Sequence, residues 1–196
     1  MKVYDASKKR IAFIFQEFEQ IVVSFSGGKD SGVMLNLVLD YAKENNLLHK
    51  VSVYHLDYEA QYQMTTDYVT RTFENLPTEV TKLWFCVPVK TPCCTSMFQN
   101  HWIPWNAAEK EIWCREIPKD AISEKECAFP IPENTTDYDF NLLLAKHLSK
   151  KKKTVFLVGI RTQESLHRWK AVNKFEGNNE YKNKNWTTIV HKNCVN

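Results

Sequence analysis

Ile21-Val22-Val23-Ser24-Phe25-Ser26-Gly27-Gly28-Lys29-Asp30-Ser31 is the stretch on which the reading of this chain turns. Ile21 to Phe25 is short, β-favouring and almost wholly apolar, as expected of a strand covered on both faces. Gly27 and Gly28 then permit backbone angles that a β-carbon penalises. The chain has only five glycines, so a pair placed together carries information. Beyond them Val33, Leu35, Leu37, Val38, Leu39 and Tyr41 support a helix running to about Asn45, with Asn45-Asn46 as a stop signal. A strand that turns through two glycines into a helix is suited to an anion. The N–H groups of the helix N-terminus point at the ligand, and the helix dipole favours negative charge. Ser24 closes the strand, Ser26 and Ser31 add hydroxyl donors, and Lys29 adds a mobile cation. Asp30 is the odd residue beside an anion, and its expected task is to orient the loop or hold a metal.

The surrounding sequence repeats the strand–helix unit. Ahead of the glycine turn, Ile11, Ile14, Phe15 and Phe18 share one helical face, with Asp5 or Ser7 as the cap. After it come a strand at Val51 to Leu56, a helix from about Gln63 to Asn75, and a third strand from about Val80 to Val87. A helix from Phe140 to Leu148 leads into a further buried strand, Thr154 to Gly159. Alternating strands and helices predict an α/β fold: a doubly wound, mostly parallel sheet with flanking helices. The expected organisation is one domain over residues 1–196, interrupted by a long irregular insert at about 88–136. That insert holds most of the prolines together with Trp102, Trp105 and Trp113, and a loop of this length is often functional. Strand character returns at Trp186 to Val190.

Composition narrows the class. The chain has 196 residues, 43% of them hydrophobic and 25% charged, which suits a globular protein with a sizeable core. The balance of 26 basic and 23 acidic residues is too mild to announce nucleic-acid binding. Lys150 to Lys153, with Lys170, Lys174, Lys182 and Lys184, form a weak candidate nucleic-acid surface, since such runs are usually just solvated. No apolar run approaches the ~20 residues of a membrane helix. The six cysteines, Cys86, Cys93, Cys94, Cys114, Cys127 and Cys194, include no C-x-x-C pair. They are expected to be reduced, in a cytoplasmic protein, and no zinc-knuckle spacing is present.

The glycine turn does not fit G-x-x-x-x-G-K-[ST] or G-x-G-x-x-G. It matches S-x-G-G-K-D-S, the PP-loop, over consecutive residues. Gly159-Ile160-Arg161-Thr162-Gln163-Glu164-Ser165-Leu166-His167-Arg168 is similar to a second signature, G-[IV]-R…E-S-x-x-R. Together they resemble the phosphoadenosine phosphosulfate reductase family, within the adenine nucleotide α-hydrolase-like superfamily, over about Ile11 to Arg168. The resemblance implies an adenine nucleotide or sulfonucleotide as ligand: phosphoadenosine phosphosulfate, or ATP accompanied by Mg²⁺. Arg161 and Arg168 would fork onto phosphate or sulfate, Glu164 would fix one of them, Ser165 would cap the next helix, and Gly159 would open the segment. Lys29, Arg161 and Arg168 are the candidates for stabilising charge in the transition state. His55-Leu56-Asp57-Tyr58-Glu59 follows the second strand, where family members place a carboxylate near the adenosine. Asp57 or Glu59 would bond a ribose hydroxyl or a metal, or simply cap a polar loop. The loop Pro92 to Trp105 is similar to a family branch related to immunoglobulin-binding regulators.

The chain departs from a thioredoxin-dependent reductase in one respect. The E-C-G-x-H segment that supplies the nucleophilic thiolate is missing. Three readings stay open at this stage: reduction or transfer of a sulfo group, adenylation that releases pyrophosphate from ATP, and a non-catalytic regulator. The protein partner would be an electron donor in the first case and a DNA-binding protein in the last.

Overall fold

The computed structural model describes residues 3–93, 95–159, 166 and 188–189. The chain begins with helix α1 (Val3–Glu17), followed by strand β1 (Gln20–Ser24), α2 (Lys29–Glu44), β2 (Val51–Leu56), α3 (Gln63–Glu74) and β3 (Thr81–Cys86). The insert contributes β4 (Thr91–Pro92), β5 (His101–Trp102) and β6 (Ile122–Ser123). Then come α4 (Asp137–Ser149), β7 (Thr154–Val158) and β8 (Thr188–Ile189). The main sheet has the order β6-β3-β2-β1-β7-β8. Its first five strands run parallel, and β8 is antiparallel on the edge beside β7. This is the expected doubly wound, mostly parallel α/β sheet.

Side-chain alternation along the strands creates two cores. Ile21, Val23 and Phe25 face α1, α2 and α3 together with Val51, Val53, Trp84, Val155 and Leu157. Val22 faces the opposite way, towards Phe140, Leu144 and Ala145 of α4, with Tyr54, Leu56, Phe85 and Phe156. From β1 to β3 the chain steps one way across the sheet. It then returns over α4 to place β7 on the far side of β1. Right-handed crossovers taken in opposite directions put their helices on opposite faces, which is why α4 stands alone behind the sheet. The direction reverses between β1 and β7. In such sheets the crevice beyond the carboxyl ends of the strands at that point is where ligands bind.

Two expectations are corrected. α1 begins at Val3, so Asp5 lies within its first turn and Ser7 deeper still. Asp5 therefore complements the dipole of α1 instead of capping it. The insert is also more ordered than its composition suggests. β4 and β5 form an antiparallel hairpin, and β6 extends the main sheet by pairing with Phe85 and Cys86. A Ser123–Glu126 capping box fixes the turn that follows β6. No helix among the described residues is long and apolar enough to cross a membrane.

His55 lies inside the first core, 2% exposed. Its Nδ1 donates to the Phe25 carbonyl at 2.7 Å, which fixes the neutral tautomer with hydrogen on Nδ1. Burial lowers its pKa below the ordinary 6.5, against the smaller opposing pulls of the Phe25 carbonyl and Asp57; Arg115 adds to the lowering. A group that protonates more readily unfolded than folded takes up its proton on unfolding as pH falls below about 6.5. His55 thus costs stability in acid and none above that value. Urea unfolding at pH 7.5 and 5.5 should show a midpoint that falls with pH, and a smaller fall in His55→Gln. An equal fall in both proteins would mean that other groups carry the acid sensitivity.

Candidate functional site

The glycine turn bridges β1 and α2 at the reversal point. Gly27 has φ of +79°. A β-carbon there would lie 2.8 Å from Thr65 Cγ2 and 2.9 Å from Val69 Cγ2, so the turn is pressed against α3. Both conformation and space demand glycine. Gly28 is different. Its φ is −83°, and among the described residues a β-carbon would meet only Ser26 Oγ, at 3.4 Å. Its outer side is open among those residues, as a backbone that receives a phosphate requires.

The two serines hold the loop. Ser31 Oγ donates to the Gly28 carbonyl at 2.9 Å and accepts from Ser26 N at 3.2 Å. The Ser26 and Ser31 hydroxyls are 3.1 Å apart, and Gly28 N reaches Ser26 Oγ only at a long 3.4 Å. Ser31 is 5% exposed, so its hydroxyl serves the loop from within. Ser26 is exposed. Helix α2 has Gly28 as its N-cap and no side-chain cap, and its first intrahelical bond is Gly32 N to Gly28 O at 3.0 Å. The N–H groups of the first turn therefore have no intrahelical acceptor. Lys29 is exposed at this end and forms no ion pair among the described residues. Ser24 pairs in the sheet between Tyr54 and Val158 and is half-buried. Asp30 sits in the first turn of α2.

Gly159 arrives from β7 directly against this turn. A β-carbon on it would lie 3.2 Å from Ser31 N, 3.3 Å from Ser31 Cα and 3.3 Å from the Asp30 carbonyl carbon. Two segments singled out 131 residues apart in the sequence, Gly28 and Gly159, thus form one crevice floor. Arg161, Glu164, Ser165 and Arg168 lie outside the described residues.

Asp57 and Glu59 occupy the same edge of the sheet, at the end of β2, but their carboxylates are buried at 1% and 6% exposure. Asp57 Oδ2 accepts from Trp84 Nε1 at 2.9 Å. Asp57 Oδ1 accepts from Glu59 N at 2.8 Å and from Arg115 Nη2. Glu59 Oε2 accepts from Trp105 N at 2.8 Å, and Oε1 accepts from Cys114 N at 2.9 Å. Both carboxylates are therefore spent on holding the insert to the sheet. A ribose hydroxyl or a metal at either one would have to displace these bonds.

Sequence reasoning missed Arg115, Trp105 and Cys114 as partners of this loop. No local pattern signals a contact across 46 to 58 residues. The nearest hint was a cluster of tryptophans in an insert otherwise rich in proline. Of the described cysteines, Cys86 is buried beneath this edge and Cys114 is exposed beside Glu59. Burial, then the charge of Asp57, pushes the Cys86 thiol well above its ordinary value and keeps it protonated. Cys93, on the β4–β5 hairpin, is shifted down by its hydrogen bond with Thr95. Among the described residues no group of three or more His, Cys, Asp or Glu is arranged to hold a metal ion.

A crevice floored by a helix N-terminus without a side-chain cap, with a lysine that is unpaired and a glycine that is open among the described residues, is suited to polyanions. The comparisons with known proteins agree with that chemistry. The phosphoadenosine phosphosulfate reductase domain matches residues 20–184. The chain is also 31% identical over 193 residues to the uncharacterized protein YbdN of Escherichia coli (strain K12). That match takes in 97% of this chain and 46% of the relative, so the chain spans about half the length of the curated relative it matches. With the domain matching from β1 through the segment after β7, the chain belongs to the phosphoadenosine phosphosulfate reductase family.

Proposed function

We propose that the chain binds phosphoadenosine phosphosulfate, with its phosphate and sulfate groups on the Gly27–Ser31 turn, for reduction or transfer of the sulfo group. The observation that carries this reading is the uncapped N-terminus of α2, set at the reversal of strand order beside an open Gly28. There an anion would meet the helix dipole and the backbone N–H groups, with no side chain of the described residues in the way. Lys29 supplies the mobile cation. Arg161 and Arg168, with Glu164 and Ser165 beside them in the signature that follows Gly159, are the further candidates for binding phosphate or sulfate. Cleavage of the sulfo group leaves negative charge on the departing phosphate oxygen. The task of Lys29 and the two arginines is to meet that charge as it develops. Asp57 and Glu59 act at one remove, through the insert they hold.

The acceptor of the sulfo group would be a thiol of an electron donor or another nucleophile; no E-C-G-x-H segment occurs within these 196 residues. Calorimetry with phosphoadenosine phosphosulfate, adenylylsulfate and ATP plus Mg²⁺ tests the reading. The sulfonucleotide carrying the 3′-phosphate should bind at least tenfold more tightly than the other two. Preference for ATP, with pyrophosphate released on adding an acceptor, would replace the reading with adenylation. Binding with neither sulfite nor pyrophosphate produced would make the chain a nucleotide-responsive regulator.

A further inference from the structure

Arg115 lies in the insert, 58 residues from the carboxylate it pairs with. Its guanidinium makes three kinds of contact at once. Nη2 donates to Asp57 Oδ1, Nε donates to the Glu59 carbonyl at 3.2 Å, and Cζ lies over the Trp105 ring, 4.9 Å from its centre. Trp105 in turn donates Nε1 to the Asp57 carbonyl at 2.8 Å and its backbone N–H to Glu59. The result is a closed knot. Asp57 Oδ1, the Asp57 and Glu59 carbonyls and the Glu59 carboxylate are all bound by residues 105–115, and among the described residues the Arg115 guanidinium is the one cation paired with them.

Two backbone conformations depend on this knot. Glu59 has φ of +62° and Trp105 has φ of +56°. Neither residue adopts the left-handed region without cost, and each is held there by the bonds of its partner. The consequence reaches the glycine turn. The Asp57–Glu59 turn leads through Tyr62 into α3, where Thr65 N donates to the Tyr62 carbonyl at 2.9 Å. Thr65 and Val69 are the two side chains against which Gly27 is pressed. Arg115, the Asp57–Glu59 turn, the start of α3 and Gly27 thus follow one another along the ligand edge of the sheet, joined by the short run of chain from Glu59 to Gln63 and by the contact of Thr65 and Val69 with Gly27. A second link runs beneath it: His55, two residues before Asp57, binds the Phe25 carbonyl just ahead of the turn.

We infer that Arg115 is a positioning residue of the nucleotide site: it fixes the insert to the Asp57–Glu59 turn, and that turn sets the seat of α3 behind Gly27. The inference rests on the proposed nucleotide site. It differs from that proposal in assigning to the insert a part in ligand affinity, through a side chain that does not touch the ligand. The fork matters as well as the charge. Lysine can balance Asp57 but cannot also reach the Glu59 carbonyl in the same plane.

The test compares the wild-type chain with Arg115→Met, Arg115→Lys and the double variant Asp57→Asn/Arg115→Met. Each is titrated with phosphoadenosine phosphosulfate in a calorimeter, well below its measured melting temperature. Arg115→Met leaves a buried carboxylate without its cation, so affinity should fall about tenfold or more in protein that is still folded. Arg115→Lys should recover part of the loss. The double variant removes the stranded charge and keeps an acceptor for Glu59 N, while its amide nitrogen replaces the acceptor of Trp84 Nε1, and it should recover part of the loss. Hydrogen exchange at the Trp105 and Cys114 amides, which Glu59 binds, should speed up in Arg115→Met and return towards wild type in the double variant.

Unchanged affinity in Arg115→Met would reduce the residue to a stabilising role and overturn the inference, leaving the nucleotide site intact. Lost affinity that Asp57→Asn fails to restore would overturn it too, because the guanidinium would then be acting on the ligand itself. A wild-type chain that binds none of the nucleotides would remove the site and this inference together.

Discussion

Gly27→Ala should unfold or severely weaken the protein, with a melting temperature lower by roughly 5–15 °C and no measurable nucleotide binding. Two costs add. An L-residue at φ of +79° pays ~1–2 kcal/mol for its left-handed backbone. The new methyl then has to share space with Thr65 Cγ2 at 2.8 Å and Val69 Cγ2 at 2.9 Å, and overpacking of this kind costs ~1–3 kcal/mol. Neither methyl is the free end of a flexible chain. Both sit on β-branched residues whose χ1 is restricted within a helix. For a chain of this size each kcal/mol is worth about 2–4 °C. Adding Thr65→Ser removes one of the clashing methyls and should return part of the loss, leaving the backbone cost in place. Thermal unfolding of the two variants side by side checks this. A Gly27→Ala protein as stable as wild type would mean that the turn is not pressed on α3 as described.

Lys29→Ala should leave the fold intact and weaken phosphoadenosine phosphosulfate binding by about ten- to a hundredfold. Lys29 is exposed at the N-terminus of α2 and makes no ion pair among the described residues, so its removal strands no partner. What is lost is a charge-assisted hydrogen bond to a polyanion, worth on the order of 1.5–3 kcal/mol. Raising the salt concentration should narrow the gap between variant and wild type, because the missing contribution is electrostatic and solvent-exposed. Calorimetry at two ionic strengths measures both effects. Equal affinities of variant and wild type would show that the phosphates do not rest on this turn.

The two variants probe different layers of one device. Gly27 shapes the turn from behind, where α3 packs. Lys29 acts from the front, where ligand arrives. The His55 contact with the Phe25 carbonyl, the Ser31 bond to the Gly28 carbonyl and the approach of Gly159 to Ser31 all serve to hold the backbone between them. A backbone held in this way has little left to reorganise when an anion binds.

What the sequence determined by itself was local or periodic. The strand at Val51–Leu56 is legible because its apolar run is short, β-rich and bounded. The glycine turn is legible because its chemistry lies in consecutive residues. From those features the parallel sheet and the place of Gly159 beyond β7 follow, and the proposed anion site rests on them. The start of α1 was read too late, because a capping residue and an acidic residue in the first turn look alike in sequence. The order within the insert was hidden, since two-residue strands such as β6 have no period to detect and form only because the edge of β3 offers them partners. Asp57 and Glu59 were legible as chemistry but not as direction. A carboxylate at a strand end can face ligand or core, and its choice depends on what the rest of the chain brings to it. Here tertiary structure brought Arg115, Trp105 and Cys114, and a buried charge must be satisfied by whatever lies within reach in space, however distant in sequence.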